Sequence, residues 1–465
     1  MKLNDTIAAI ATPRGSGGIA IIRLSGENAA EIAAKVAHPY NNKSVTELES
    51  HKLTLSRITT PNAPDCIIDE ALVALMRAPK SYTGENVVEI NCHGGFLAAD
   101  KILTSILESG ARLAEAGEFT RRAFINGKTD LSGAEAVMDL MNSSSQQGLH
   151  NAAMALTGAL ADRINHLRSE VMLLAANVSA VADYPDEVDP LSNEELEEKL
   201  SFINDRISAL LGGFDTGRIL RDGVRTAIVG KPNVGKSSIL NALLRFERAI
   251  VTDVPGTTRD TIEELAEVGG VALRLIDTAG IRTASDEVEK IGIERSKENI
   301  RTADLCLFVI DSSAPITDED MQIAEALKGK RTILIINKTD KKSVISDIQP
   351  TEVLGISPEA VIYTSAPKGE DACGINSIEE AISDMFTLGK ISADEVYLAN
   401  ERQRDALLRA QASIKNATNC LADSMPFDLL FIDLEDALSA LGEVTGETVQ
   451  EEIIDKVFEN FCVGK

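Results

Sequence analysis

The chain has 465 residues, enough for about three domains. Its 72 acidic residues outnumber its 46 basic ones, and the formal net charge of −26 disfavours wholesale binding of nucleic acid. Any RNA contact therefore needs a local basic patch or a partner that supplies one. The sequence contains no run of about 18 apolar residues and begins with no signal peptide, so we expect a cytoplasmic protein without a membrane span. Six scattered cysteines without a Cys-x-x-Cys pair, and only five histidines, exclude an obvious zinc site.

The first 120 residues have an α+β pattern. Apolar runs at 7–11, 19–23 and 87–91 predict strands, and helical patterns cover 29–36 and 97–107. A glycine-rich turn joins the first two strands, but such a turn alone does not indicate a ligand. His93 follows the third strand in a His-Gly-Gly turn, and we interpret it as a turn residue rather than a catalytic one.

The next segment is helical. Apolar residues repeat at spacings of three and four from Leu149 to Val181, which predicts one long helix that ends before Pro185. Ser192 and Glu195 form a capping-box pattern that opens another helix. Since the chain is helical again near its C-terminus, we expect one helical domain with an α/β domain inserted into it. The predicted segments are 1–120 (α+β), 121–215 (helical, first part), 216–387 (inserted α/β domain) and 388–465 (helical, second part).

The inserted domain opens with a phosphate-binding loop. Residues 230–237 read GKPNVGKS, after an apolar strand at 225–229 and before a helix at 238–244. This context lets the backbone N–H groups surround a phosphate at the start of a helix. Lys236 would contact the β- and γ-phosphates, and the Ser237 hydroxyl would bind Mg²⁺.

Three further motifs follow, each after a predicted strand. Asp277-Thr278-Ala279-Gly280 suits the Mg²⁺ shell and the γ-phosphate. Asn337-Lys338-Thr339-Asp340 carries an aspartate that can accept hydrogen bonds from guanine N1 and its exocyclic amine, which selects GTP over ATP and disfavours a P-loop kinase. Ser365-Ala366 would complete the base pocket. The four motifs in this order predict a GTPase domain of the Ras-like P-loop class, within a multidomain chain.

Hydrolysis needs a different arrangement from that of Ras, because Ile281 stands where Ras-like enzymes carry a water-orienting glutamine. Oxygen atoms of Asn233 and of the segment 252–260 suit a monovalent cation, and Thr258 is the expected switch ligand to Mg²⁺. The predicted GTP-binding residues are Asn233, Val234, Gly235, Lys236, Ser237, Ser238, Thr252, Asp253, Val254, Pro255, Gly256, Thr257, Thr258, Asp277, Thr278, Ala279, Gly280, Asn337, Lys338, Asp340, Ser365 and Ala366.

Several motifs outside the GTPase segment resemble those of the MnmE/TrmE family of tRNA-modification GTPases, and the resemblance covers the whole chain. The most specific is the ending Phe461-Cys462-Val463-Gly464-Lys465. The others are Asp5-Thr6-Ile7-Ala8, Ala11-Thr12-Pro13, Tyr82-Thr83-Gly84-Glu85, Gly117-Glu118-Phe119-Thr120 and Asp286-Glu287-Val288-Glu289.

The resemblance implies a cytoplasmic homodimer joined through an N-terminal domain similar to tetrahydrofolate-binding domains. With an FAD-containing MnmG/GidA-like partner, in a heterotetramer, such proteins add an aminomethyl or carboxymethylaminomethyl group to C5 of the wobble uridine (position 34) of certain tRNAs. A 5,10-methylene- or 5-formyl-tetrahydrofolate would supply the carbon. The matching folate positions are Arg23, Glu89, Lys128 and Lys465. Alternatively, the two lysines are ordinary surface charges and Glu89 forms a salt bridge.

The resemblance also implies activation by K⁺ and by dimerisation of the GTPase domains. The matching K⁺ ligands are Asn233, Thr252, the Val254 carbonyl and Thr257. Glu289 would position the attacking water; the alternative is an exposed glutamate on a helix. Cys462 is a candidate nucleophile toward C6 of the uracil, or else a small residue that packs a helix end.

A regulatory GTPase of ribosome assembly, similar to Era or EngA, is the competing hypothesis for the whole chain. Such proteins share the GTPase motifs but lack the folate-like domain and the Cys-Val-Gly-Lys ending.

Overall fold

The computed structural model describes residues 5–13, 15, 17–61, 63–184, 186, 191–246, 264–276, 298–345, 349–365, 374–386, 395–423, 425–459 and 461–464. Contacts between residues group the chain into two compact units. The first comprises Met1–Met138, Ala155–Asn204 and Ala406–Lys465, and the second comprises Asp139–Met154 and Asp205–Asp405. The finer division into four segments stays a prediction. Among the described residues, no helix is long and apolar enough to cross a membrane.

The N-terminal part of the first unit is a seven-stranded sheet with the strand order β3-β4-β5-β6-β2-β1-β7. Its neighbouring strands are antiparallel except for the parallel pair β1 and β7. The predicted strands and helices of this region are confirmed as β1, β2, β6, α1 and α2, whereas β3, β4, β5 and β7 were not predicted. The elements are β1 Ile7–Ile10, β2 Ile19–Ser25, α1 Ala29–Ala34, β3 Ala37–Pro39, β4 Leu53–Thr60, β5 Ala63–Met76, β6 Val87–His93, α2 Phe96–Glu108 and β7 Arg112–Leu113.

Successive side chains along each strand point to opposite faces of this sheet. Side chains such as Ile22, Val73 and Ile90 pack with α1 and α2 in one buried core. On the opposite face, β1 is covered by Phe119, which forms a separate small cluster with Ile7, Ala9 and Ala114. The same face carries exposed apolar side chains on β4 and β5, with Leu53 58 %, Leu55 49 % and Leu72 41 % exposed.

The middle of the chain is helical, as predicted, but the predicted long helix is two helices. They are separated at Gly158, which adopts φ +89 and so ends the helical backbone where other residues would be strained. The predicted capping box is confirmed, because Glu195 N–H donates to Ser192 Oγ at 3.2 Å and Ser192 N–H donates to Glu195 Oε2 at 2.9 Å. The helices are α3 Glu118–Ile125, α4 Leu131–Asn142, α5 Gln146–Leu156, α6 Ala159–Asp183, α7 Asn193–Gly212 and α8 Phe214–Asp222.

The second unit contains a six-stranded sheet with the order β13-β12-β11-β8-β10-β9. All neighbours are parallel except β9, an antiparallel edge strand that was not predicted. Apolar clusters bury both faces, which is typical of a doubly wound α/β domain. The elements are β8 Val224–Val229, α9 Lys236–Phe246, β9 Glu264–Val268, β10 Val271–Leu275, β11 Leu305–Asp311, α10 Asp318–Ala326, β12 Thr332–Asn337, α11 Pro350–Leu354, β13 Ala360–Tyr363 and α12 Ile375–Met385.

The C-terminal part is helical, as predicted, with α13 Glu401–Ala422, α14 Phe427–Thr445 and α15 Glu451–Glu459. Within the first unit, α14 lies along α6, and α15 contacts α3. Phe458 and Phe461 pack with Leu131 and Ala134 in a cluster that ties the end of the chain to the start of α4.

Candidate functional site

The phosphate-binding loop connects β8 to α9 at the carboxyl end of the parallel strands, where ligands bind in such sheets. Two of its glycines are required by close approach of other groups. A side-chain carbon at Gly235 would lie 2.0 Å from Asn337 Nδ2, and one at Gly230 would lie 2.3 Å from the Val309 carbonyl. Asn233 adopts φ +62, a left-handed conformation that asparagine tolerates better than most residues.

Lys236 begins α9, and its ammonium is turned into the loop. Its Nζ donates to the carbonyl oxygens of Gly230 at 2.6 Å and Lys231 at 2.7 Å. Burial lowers the pKa of Lys236 to about 8, because desolvation penalises the charged ammonium. A phosphate in the loop would stabilise that charge, so the site fits an anion.

The segment after β12 holds the loop from the other side. Asn337 is buried; its Nδ2 donates to the Val234 carbonyl at 2.8 Å, and its Oδ1 accepts from Thr364 Oγ1 at 3.0 Å. Lys338 Nζ donates to the Asn233 carbonyl at 2.5 Å. Three predicted parts of the nucleotide site thus meet: the loop after β8, the motif after β12 and the segment after β13 that leads to Ser365.

Asp340 follows on the exposed side of this motif, where a base could reach its carboxylate. Ser237 and Ser238 occupy the first turn of α9, beside the loop. The remaining predicted positions lie outside the described residues and stay predictions. They are Thr252, Asp253, Val254, Pro255, Gly256, Thr257, Thr258, Asp277, Thr278, Ala279, Gly280, Glu289, Ala366 and Lys465.

A second group of polar residues lies on the first unit. Arg23 on β2 and Glu89 on β6 are register partners, and Arg23 Nε donates to Glu89 Oε1 at 2.8 Å. The Arg23 guanidinium also lies 5.3 Å from the centroid of the Tyr82 ring and 5.7 Å from that of Phe119. The salt bridge considered as the alternative for Glu89 is therefore present. Lys128 Nζ donates to the Pro79 carbonyl at 3.2 Å.

The C-terminal tail reaches the same group. Val463 forms a β-bridge with Ala116, and Arg23 Nη1 donates to the Gly464 carbonyl at 3.4 Å. Gly464 adopts φ +102, and a side-chain carbon there would lie 2.4 Å from the Ile10 carbonyl. The Cys462 side chain is exposed, so the interpretation that it packs a helix end is wrong. Its role as a nucleophile stays a prediction.

Two family models match the chain. One, described as the GTP-binding protein TrmE N-terminus, matches residues 6–128, and the other, the MnmE helical domain, matches residues 131–462. The chain belongs to the MnmE family. Similar relatives, each called tRNA modification GTPase MnmE, come from Alkaliphilus oremlandii, Clostridioides difficile and Bacillus licheniformis. Each is 44 % identical, over 467, 468 and 464 residues respectively, which is 99–100 % of this chain and 100 % of each relative.

Arg23, Glu89, Tyr82 and Phe119 are here called the Arg23 group. A buried charge cluster supports this group in the MnmE-family chain. The side chain of Arg122 on α3 is fully buried. Its guanidinium donates to Asp5 Oδ1 at 2.7 Å, Glu118 Oε1 at 3.0 Å and Glu85 Oε2 at 3.2 Å. Burial alone would raise the pKa of the Glu118 carboxyl, but hydrogen bonds from Arg112, the Glu115 amide and Arg122 lower it below its usual value. The cluster fixes the segment that carries Tyr82.

Tyr82 and Phe119 were missed as site residues. Both belong to motifs that support the resemblance to the MnmE family, so the signal was present without an assigned role. Asp311, which bonds Lys338, was predicted only as the end of a strand. Nothing in its local sequence indicated that contact, because it depends on the pairing of β11 with β12.

Proposed function

We propose that this MnmE-family GTP hydrolase modifies C5 of the wobble uridine in certain tRNAs, using a one-carbon unit from tetrahydrofolate and acting with an FAD-containing MnmG/GidA-like partner. The observation that carries the proposal is that the chain combines two groups. One is a phosphate-binding loop held by Asn337 and Lys338. The other is a separate polar group in which Arg23, Glu89 and the Cys462–Gly464 tail meet. The relatives' shared name, tRNA modification GTPase, supports it.

In the nucleotide site, Lys236 would leave its two backbone acceptors and pair with the phosphates, and Asp340 would bind guanine. Ser237 and Thr258 would hold Mg²⁺, which supplies charge neutralisation at the β- and γ-phosphates. Asn233 is exposed, so its carboxamide oxygen can meet a K⁺ ion, together with Thr252, the Val254 carbonyl and Thr257. Glu289 would position the attacking water in the place of the missing glutamine.

The cation and Glu289 assignments are tested by GTP turnover. We expect turnover to rise strongly in K⁺ compared with Na⁺, because a cation at Asn233 would neutralise charge that develops on the transferring phosphoryl group. Glu289→Ala should slow hydrolysis and leave GTP binding unchanged. Equal rates in the two salts would refute the cation site, and lost GTP binding in the variant would make Glu289 a structural residue.

In the first unit, Arg23 would pair with a folate carboxylate and Glu89 would accept from pterin N–H groups. Phe119 is buried beneath Arg23, whereas the Tyr82 ring is 37 % exposed and gives this group an aromatic surface on which a flat heterocycle can stack. Lys465 follows Gly464, whose carbonyl already contacts Arg23, and Lys128 would add a second cation. Cys462 would attack C6 of the uracil and so make C5 nucleophilic.

Folate binding separates this proposal from the Era- or EngA-like alternative. Equilibrium dialysis with 5-formyl-tetrahydrofolate should show binding to the intact chain, and Arg23→Ala should weaken it while GDP binding is retained. An intact chain that binds no folate would favour the regulatory GTPase.

We also propose that the protein is a homodimer and that it is located in the cytoplasm. The exposed Leu53, Leu55 and Leu72 on the open face of the N-terminal sheet are the kind of apolar surface that association covers. Sedimentation equilibrium of the intact chain should give the dimer mass, and Leu55→Glu with Leu72→Glu should lower it toward the monomer.

The modification itself is tested by mass spectrometry of tRNA nucleosides from a strain that lacks this gene. We expect the modified wobble uridine to disappear, to return with the intact gene and to stay absent with Cys462→Ser. Unchanged wobble uridine in the deletion strain would disprove the proposed function, whereas full activity of Cys462→Ser would disprove only the nucleophile.

A further inference from the structure

Asp311 lies at the carboxyl end of β11, between β8 and β12, and no part of the nucleotide chemistry above uses it. Its side chain is 13 % exposed, and both carboxylate oxygens have partners. Oδ1 accepts from the Ser313 amide at 2.9 Å and the Ser313 hydroxyl at 2.7 Å. Oδ2 accepts from Lys338 Nζ at 2.6 Å. Because the Ser313 contacts hold the carboxylate, its position does not depend on Lys338.

Lys338 is held at both ends. Its ammonium lies between Asp311 Oδ2 and the Asn233 carbonyl, and its own carbonyl accepts from Ser312 Oγ at 2.9 Å. Its backbone adopts φ +63, which a residue with a long side chain rarely adopts without compensating contacts. The segment Asp311–Ser313 supplies two of these contacts.

Through the Asn233 carbonyl, these contacts reach the left-handed turn of the phosphate-binding loop. Asn233 adopts φ +62, and its carbonyl is the acceptor for Lys338. The next carbonyl, that of Val234, is held by Asn337. Because the peptide groups of this turn must point their N–H groups at the phosphates, fixing their carbonyls fixes the anion-binding geometry.

We propose that Asp311 is a positioning residue for guanine-nucleotide binding, which holds the Lys338 ammonium against the Asn233 carbonyl and so presets the phosphate-binding loop. Without the carboxylate, the ammonium loses its charge-assisted bond and is free to turn to solvent. The loop then has to be ordered when the nucleotide binds, and this ordering weakens the affinity.

The first test is titration of the intact, nucleotide-free chain with GDP, which needs no K⁺, folate or tRNA and is therefore independent of the proposed modification chemistry. Asp311→Asn keeps the size of the side chain and removes its charge. We expect the Kd for GDP to rise about tenfold, as for loss of one charge-assisted hydrogen bond. Asp318→Asn is the matched control, since it removes the same charge from an exposed position on α10. An unchanged Kd in Asp311→Asn would overturn the proposal.

The second test asks whether Asp311 acts through Lys338. In a Lys338→Met background, Asp311→Asn should raise the Kd for GDP by less than about twofold, because the group that it positions is already absent. A purely structural defect would persist in that background and give additive losses. Additive losses would therefore overturn the proposal, even if both single variants bind GDP more weakly.

Discussion

Lys236 shows how the phosphate-binding loop is suited to an anion. Its partly buried ammonium donates to two neutral carbonyls, and desolvation lowers its pKa to about 8. A bound phosphate would restore the pKa toward the usual value, because negative charge stabilises the protonated amine. Nucleotide binding is therefore coupled to proton uptake whenever the pH lies near or above the lowered pKa.

The affinity for GDP should consequently fall as the pH rises from 7 to 9. Below about pH 8 the free loop already carries the proton; above it, the nucleotide must bind a loop that first takes one up. Calorimetry in buffers of different ionisation enthalpy should show this uptake at pH 8.5. Lys236→Arg, which stays protonated throughout, is the control, and its residual affinity should not show this decline. An equal pH dependence in both proteins would rule out Lys236 as its source.

At the scale of elements, the Arg122 cluster joins α3 to the start of the chain and to the segment that carries Tyr82. Arg122→Met would leave the Asp5, Glu85 and Glu118 carboxylates together, and Arg112 would still pair with Asp5 and Glu118 but not with Glu85 among the contacts of the described residues. Removal of one partner from a buried ionic network costs about 3–5 kcal/mol. We expect that loss in the free energy of local opening, measured by hydrogen exchange of β2 and α3 amides in the intact chain. Arg122→Lys should lose less, because it keeps the charge.

The same substitution has a pH signature. Burial raises the pKa values of Asp5 and Glu118, but bonds to Arg112 and Arg122 outweigh it and lower both. Carboxyls with lowered pKa values stabilise the fold above their unfolded pKa of about 4, and that stabilisation is lost as the pH falls further. The difference between the wild type and Arg122→Met should therefore shrink below about pH 4. A difference that grows on acidification would contradict this account.

Comparison of particular elements shows what could be predicted from the sequence. The phosphate-binding loop and the Asn337–Lys338 motif were predictable, because their chemistry lies in contiguous residues. The break at Gly158 was not predicted, since apolar periodicity continues across it. The Arg23–Glu89 pair was expected as two folate positions, but their direct contact follows from the register of β2 with β6, which no local pattern specifies. The position of the tail beside Ala116 likewise depends on packing between distant segments.

At the scale of the whole molecule, the two groups of functional residues belong to different compact units. The nucleotide loop lies in the unit that contains 205–405, and the Arg23 group with the C-terminal tail lies in the other. Each group is built from contacts within its own unit. A substitution that disturbs one group should therefore leave the local chemistry of the other intact.

Gly464→Ala should disturb the Arg23 group and leave the nucleotide site intact. Its new carbon would lie 2.4 Å from the Ile10 carbonyl, on a backbone with φ +102, so the tail must leave its position beside Arg23. We expect GTP hydrolysis to stay within about twofold of the wild type, since hydrolysis uses the other unit. Wobble-uridine modification should fall at least about tenfold, because a reacting group displaced by an ångström or more loses its productive geometry. Phosphate release by the purified protein and nucleoside mass spectrometry of complemented strains measure the two activities.

The control is Val463→Ala, at an exposed neighbouring position, which should retain both activities. If Gly464→Ala modified tRNA as well as the wild type, the position of the tail beside Arg23 would have no role in the chemistry.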